Sequence, residues 1–118
     1  MIEEEAVVPW RWTGPEVFER DYWCQKSDVW AFGVTLWEIF TNALIPYFEI
    51  SDDEELKRRV FKEGLRLSQP ADCPHSVFEI MSRCWQHQTS HRPSFAELAQ
   101  HLQDVSAAYF QDGPLFVL

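Results

Sequence analysis

Glycine is scarce in this chain. Four occur in 118 residues, Gly14, Gly33, Gly64 and Gly113. They lie too far apart for a glycine-rich loop of the kind that covers phosphates. Basic residues are also few: ten against nineteen acidic ones leave a net charge of −9. Binding to a nucleic-acid backbone needs a basic face, so that class is excluded. The triplet Lys57-Arg58-Arg59 follows Asp52, Asp53, Glu54 and Glu55, and reads as a solvated helix face. Three cysteines, Cys24, Cys73 and Cys84, without a CxxC pair make neither a disulfide framework nor a zinc site. Reduced thiols in a cytoplasmic setting are expected. His75, His87, His91 and His101 lack metal-ligand spacing. No apolar run reaches the roughly 20 residues of a membrane span, and the opening Met-Ile-Glu-Glu-Glu does not resemble a signal peptide. No membrane contact is expected.

What is present is apolar and aromatic: 46% hydrophobic residues, 15% aromatic, and six tryptophans. A chain of this length can bury one sizeable core. Thr13-Gly14-Pro15 reads as a turn in which glycine permits positive φ, and Pro15 can open a short helix with Glu16 in its first turn. Ser27 is a candidate N-cap for a helix over 28–41 whose apolar residues cover nearly every face, so burial all round is expected. Gly33 inside it costs roughly 1 kcal/mol relative to alanine and points to a close neighbour. Ser51 with Glu54 forms a capping-box pattern for a polar helix over 52–62, stopped by Gly64. Val77, Phe78, Ile80, Met81, Cys84 and Trp85 have helical spacing within a helix over 75–87. Ser94 with Glu97 is a second capping box, opening a helix over 94–109. The fold expected is all-α, about five helices around a buried central one.

Four stretches, in order and in register, resemble the C-terminal lobe of a protein tyrosine kinase domain: VPWRWTGPE (8–16), SDVWAFGVTLWEIFT (27–41), IPYFEI (45–50) and CWQHQTSHRPSF (84–95). Arg11-Trp12 and Cys84-Trp85 resemble the tyrosine rather than the serine/threonine branch. The resemblance implies an activation-segment end over 1–9, a partial kinase domain over 7–109 and a tail over 110–118. It implies that Pro9, Trp10, Arg11 and Trp12 line the groove for the residue after a substrate tyrosine; the alternative is that Trp10 and Trp12 are core. It implies an ion pair between Glu16 and Arg92, with a surface pair as the alternative. It also implies that Asp28 anchors the catalytic loop in the full-length parent; as a first-turn acid it can equally serve the helix dipole.

Catalysis in that family needs a glycine-rich loop, a strand lysine, a His-Arg-Asp-type loop and an Asp-Phe-Gly-type metal aspartate. This sequence has none of them. The resemblance therefore implies ATP and magnesium for the parent, a transferase, and no cofactor or catalytic residue for this chain. The partners expected are a protein or peptide tyrosine substrate and the rest of the kinase domain. The alternative is a pseudokinase-type interaction module. Gly14 in place of the family's usual alanine, and the absence of a glycine before Pro46, are departures that leave this alternative open.

Overall fold

The computed structural model describes residues 7–109, and they are helical, with no strand among them. Five α-helices follow in order: α1 (Pro15–Arg20), α2 (Gln25–Phe40), α3 (Asp53–Lys57), α4 (His75–Cys84) and α5 (Phe95–Tyr109). Single 3-10 turns form at Trp10–Trp12 and Thr89–His91, and a π turn, Arg58–Lys62, continues α3. The turn over HQTSHRP and a helix reaching residue 62 are readable from the residues; the 3-10 and π character of these segments is not. The tail over 110–118 lies outside the described residues, as do residues 1–6.

The core forms where α2 crosses α4. Val29, Trp30, Val34 and Trp37 of α2 meet Val77, Ile80, Met81 and Cys84 of α4, with Leu56, Val60, Phe61 and Leu98 closing the sides. Gly33 is the point of closest approach. A β-carbon there would stand 2.7 Å from both Cβ of Cys84 and Nε1 of Trp85. The indole of Trp85 lies in the space a side chain at 33 would fill, and its buried N–H has no partner among the described residues. Helix α2 is not buried all round: Thr35 is exposed and Ile39 is 66% exposed, because its neighbours cover only part of its circumference.

Several boundaries differ from the pattern, each for a local reason. Cys24, not Ser27, is the N-cap of α2; Ser27 sits at the third helical position and its hydroxyl accepts from the Cys24 amide at 3.0 Å. Asp52, not Ser51, caps α3 by accepting from the Glu55 amide at 3.0 Å. Gly64, at φ 81°, provides the left-handed stop after the π turn. Gly14 is extended, at φ −88° and ψ 170°, so positive φ is not its role; Pro15 favours that extended geometry. Helix α4 ends at Cys84 rather than 87: the Trp85 amide donates to Ser82 O at 3.1 Å, a tight closing turn, and the carbonyls of Gln86 and His87 beyond it accept from Arg92. The Ser94–Glu97 box forms in both directions, at 2.8 and 3.1 Å. Lys57 is not a solvated lysine: it pairs with Glu54 at 2.9 Å, its side chain is 15% exposed, and its ammonium lies 4.9 Å from the Trp10 ring centroid.

Candidate functional site: a ledge braced by a buried ion pair

The site starts at a carboxylate and a guanidinium, 76 positions apart in sequence. Glu16 stands in the first turn of α1, and Arg92 leaves the Thr89–His91 turn in extended conformation. Arg92 Nη2 donates to Glu16 Oε1 at 2.7 Å, and Nη1 donates to Oε2 at 3.0 Å. Both side chains are almost wholly excluded from water, at 0% and 1% exposure. Such a fork-to-fork pair fixes direction as well as distance. The other donors are also used: Nε to Gln86 O at 2.8 Å, Nη1 to Lys26 O at 2.9 Å, Nη2 to His87 O at 3.3 Å. The hydroxyl of Ser27 donates to Glu16 Oε2 at 2.7 Å. The Lys26 ammonium reaches back to Arg92 O at 2.8 Å. A β-carbon at Gly14 would lie 2.8 Å from Arg92 Nη2 and from Glu16 Oε1, so an alanine there requires the pair to shift.

A buried charge is tolerated when its hydrogen bonds are complete. Burial by itself raises the pKa of Glu16, but the Arg92 and Ser27 hydrogen bonds outweigh it and hold the carboxyl below the usual glutamate range. The Arg92 guanidinium also lies 4.9 Å from the Trp30 ring centroid, and Arg66 lies 4.8 Å from the same ring. The sequence offers no local signal for Lys26, Ser27 or Trp30 in this arrangement, since carbonyl acceptance and ring stacking follow from tertiary approach.

The pair connects the last helices to the 3-10 turn at residues 10–12 through α1. Each residue of that turn has a distinct place. Pro9 is exposed. Trp10 is half-buried, edge-on to Phe18 at 6.0 Å and to Phe61 at 6.1 Å. Arg11 points its guanidinium at the loop before α3, donating from Nη1 to the carbonyls of Pro46 and Tyr47 at 2.8 and 2.9 Å. Its Nη2 donates to Ile50 O at 2.6 Å. Trp12 donates from Nε1 to Glu38 Oε1 at 2.9 Å, which ties the turn to α2. The turn is therefore held by the polar bonds of two of its side chains, Arg11 and Trp12, and by the aromatic contacts of Trp10, leaving Pro9 exposed. Asp28 is exposed at the start of α2, and one carboxylate oxygen accepts from Trp23 Nε1 at 2.8 Å. The structure thus joins Glu16 to Arg92 and groups residues 9–12, while Asp28 stands apart from both.

No group of three or more His, Cys, Asp or Glu side chains converges on a possible metal position among the described residues. Cys84 is buried, and desolvation pushes its thiol up to about 12, the state of an inert packing cysteine. No helix of the described residues is long and apolar enough to cross a membrane.

Residues 1–102 match the family described as protein tyrosine and serine/threonine kinase. The chain belongs to that family, and its helices are those of the C-terminal lobe. Its relatives are on the tyrosine branch. It is 44% identical over 104 residues to "Inactive tyrosine-protein kinase 7" of Gallus gallus, a match covering 87% of this chain and 10% of the relative. It is 38% identical over 95 residues to "Tyrosine-protein kinase transforming protein Fps" of Fujinami sarcoma virus, covering 80% of this chain and 11% of the relative. It is 38% identical over 100 residues to "Ephrin type-A receptor 1" of Homo sapiens, covering 85% and 10% respectively. The chain thus spans about a tenth of the length of these curated relatives.

Proposed function

We propose that the chain is the substrate-facing scaffold of a protein tyrosine kinase. In this reading Pro9, Trp10 and Trp12 carry the ledge on which an extended peptide lies, with the residue after its tyrosine against the apolar edge. Arg11 does not meet the peptide through its charge; it holds the neighbouring loop in place. The observation that carries the reading is the buried two-pronged pair of Glu16 and Arg92, which anchors α1, the helix that follows residues 9–12 in the chain, to the last helices. A ledge that must orient a peptide needs rigid support, because small misplacements of a reacting group cost large factors in rate.

The residues of this chain do not fit ATP and magnesium. There is no glycine-rich loop, His-Arg-Asp or Asp-Phe-Gly in the sequence, and no metal-ligating cluster among the described residues. Phosphoryl transfer to protein tyrosine, on the cytoplasmic side, is accordingly assigned to the parent domain, with no step carried by the residues described above.

The likeness to an inactive tyrosine-protein kinase favours a second reading, a pseudokinase-type module that recognises protein without catalysis. Two titrations of the chain test the proposal. Magnesium-ATP should produce no binding signal. A peptide bearing an apolar residue after its tyrosine should perturb the amide resonances of residues 9–12, and one with aspartate there should not. Indifference of residues 9–12 to both peptides would remove the ledge.

A further inference from the structure

A separate cavity of about 400 Å³ opens between the end of α2, the loop before α3 and the segment 65–68. Its size falls within the range of small-molecule sites, roughly 300–1,000 Å³. Trp37, Phe48, Leu65 and Leu67 make its walls, and Tyr47 and Arg66 also line it.

Arg66 is the unusual element. Its Nε donates to Trp85 O at 2.9 Å, and its Nη1 to Val60 O and Leu65 O at 3.1 and 2.9 Å. Those are neutral carbonyls, and among the described residues Nη2 donates to none. No carboxylate pairs with this guanidinium among the described residues, in contrast to Arg92, which shares the Trp30 ring with it. Burial disfavours the charge on Arg66, and the nearby Arg92 adds to that. Tyr47 is held in left-handed backbone conformation, at φ 56°, a costly geometry for a tyrosine. Burial keeps its phenol protonated, against the field of Arg66, so at neutral pH the hydroxyl is a donor. A desolvated cation with a spare amino group, a phenol donor and a flat apolar wall form one concave surface.

We propose that this cavity binds a small aromatic carboxylate, its two oxygens received by Arg66 and Tyr47 and its ring lying between Phe48 and Leu65. Glu49 also lines the cavity and repels any anion, a doubly charged phosphate ester more strongly than a singly charged carboxylate. Arg59 at the mouth is half-exposed and 3.7 Å from Glu55, so it steers an anion without closing on it. The cavity shares no lining residue with the ledge or the buried pair, although Arg11 holds its loop through the Tyr47 and Ile50 carbonyls and Arg66 shares the Trp30 ring with Arg92; carboxylate binding there needs no peptide on the ledge.

The test is a titration of the full chain with benzoate, followed by NMR at the Trp37 indole N–H and the amides of residues 65–68. Benzamide, uncharged and of the same shape, is the control. Saturable shifts with benzoate and none with benzamide are expected. Tyr47→Phe removes one donor and keeps the ring, so it should weaken benzoate about tenfold, the loss of one hydrogen bond to a charged group. Arg66→Met should abolish binding; because it also strips three carbonyl contacts, its thermal unfolding is recorded beside it and Tyr47→Phe remains the deciding variant. Equal binding of benzamide, benzoate affinity unchanged by Tyr47→Phe, or no saturation at millimolar benzoate would each overturn the proposal.

Discussion

The physics of this molecule is concentrated in the pairing of Glu16 with Arg92. A surface ion pair contributes about 0–1 kcal/mol, but removing one member of a buried pair leaves an uncompensated charge and costs about 3–5 kcal/mol. Arg83 is a fitting comparison: it is exposed and, among the described residues, its one side-chain partner is His101, at 3.5 Å. Arg92→Ala should therefore lower the melting temperature by roughly 10 °C or more, and Arg83→Ala should leave it nearly unchanged; calorimetry of the two variants decides. Acid should act on the same pair. Because the carboxyl of Glu16 is held below its usual range, its contribution is complete above the unfolded value, near pH ~4.3, and is lost as pH falls through the lower folded value. The stability gap between the protein and Glu16→Gln should thus be flat from neutral pH to about pH 5 and narrow below it. A gap that widens in acid, measured by urea unfolding at a series of pH values, would reverse the sign assigned to the pair.

At the scale of the element, the crossing of α2 and α4 rests on a missing side chain. Gly33→Ala would gain roughly 1 kcal/mol of helix propensity. It would also place a β-carbon 2.7 Å from Cβ of Cys84, a rigid atom close to the helix backbone. Overpacking of that kind costs typically 1–3 kcal/mol, so a net loss of stability is expected, read as a lower urea midpoint with an unchanged slope. Ser94→Ala should cost about 1 kcal/mol by removing a formed cap. The close neighbour of Gly33 was foreseeable because a glycine inside an apolar helix has no local purpose. The periodicity of Val77, Ile80, Met81 and Cys84 was equally readable, since period and burial coincide there. Helix ends were harder. Ser27 has the chemistry of a cap yet lies one turn inside, its hydroxyl shared between Cys24 and Glu16. Past the end of α4 the carbonyls of Gln86 and His87 are taken by a guanidinium from the next segment, and no local pattern encodes that.

Across the whole molecule, two kinds of attachment coexist. The α2–α4 core is held by apolar packing, whereas residues 10–20 combine the aromatic contacts of Trp10 and Phe18 with polar reach: Arg11 to the loop carbonyls, Trp12 to Glu38, and Glu16 to Arg92. Only the family resemblance brought Glu16 and Arg92 together in the sequence, because contacts across such a separation leave no local trace; the service of Arg11 to residues 46–50 left none at all. Stability in proteins is distributed over units that open at different free energies. A unit tied by a few hydrogen bonds should open before one closed by interdigitated side chains. In Arg92→Ala, amide hydrogen exchange in residues 10–20 should therefore accelerate far more than in residues 77–84, while α2 keeps its protection. Equal acceleration in both regions would mean that front and core unfold as one unit, and that the guanidinium supports the whole fold rather than holding residues 10–20 against it.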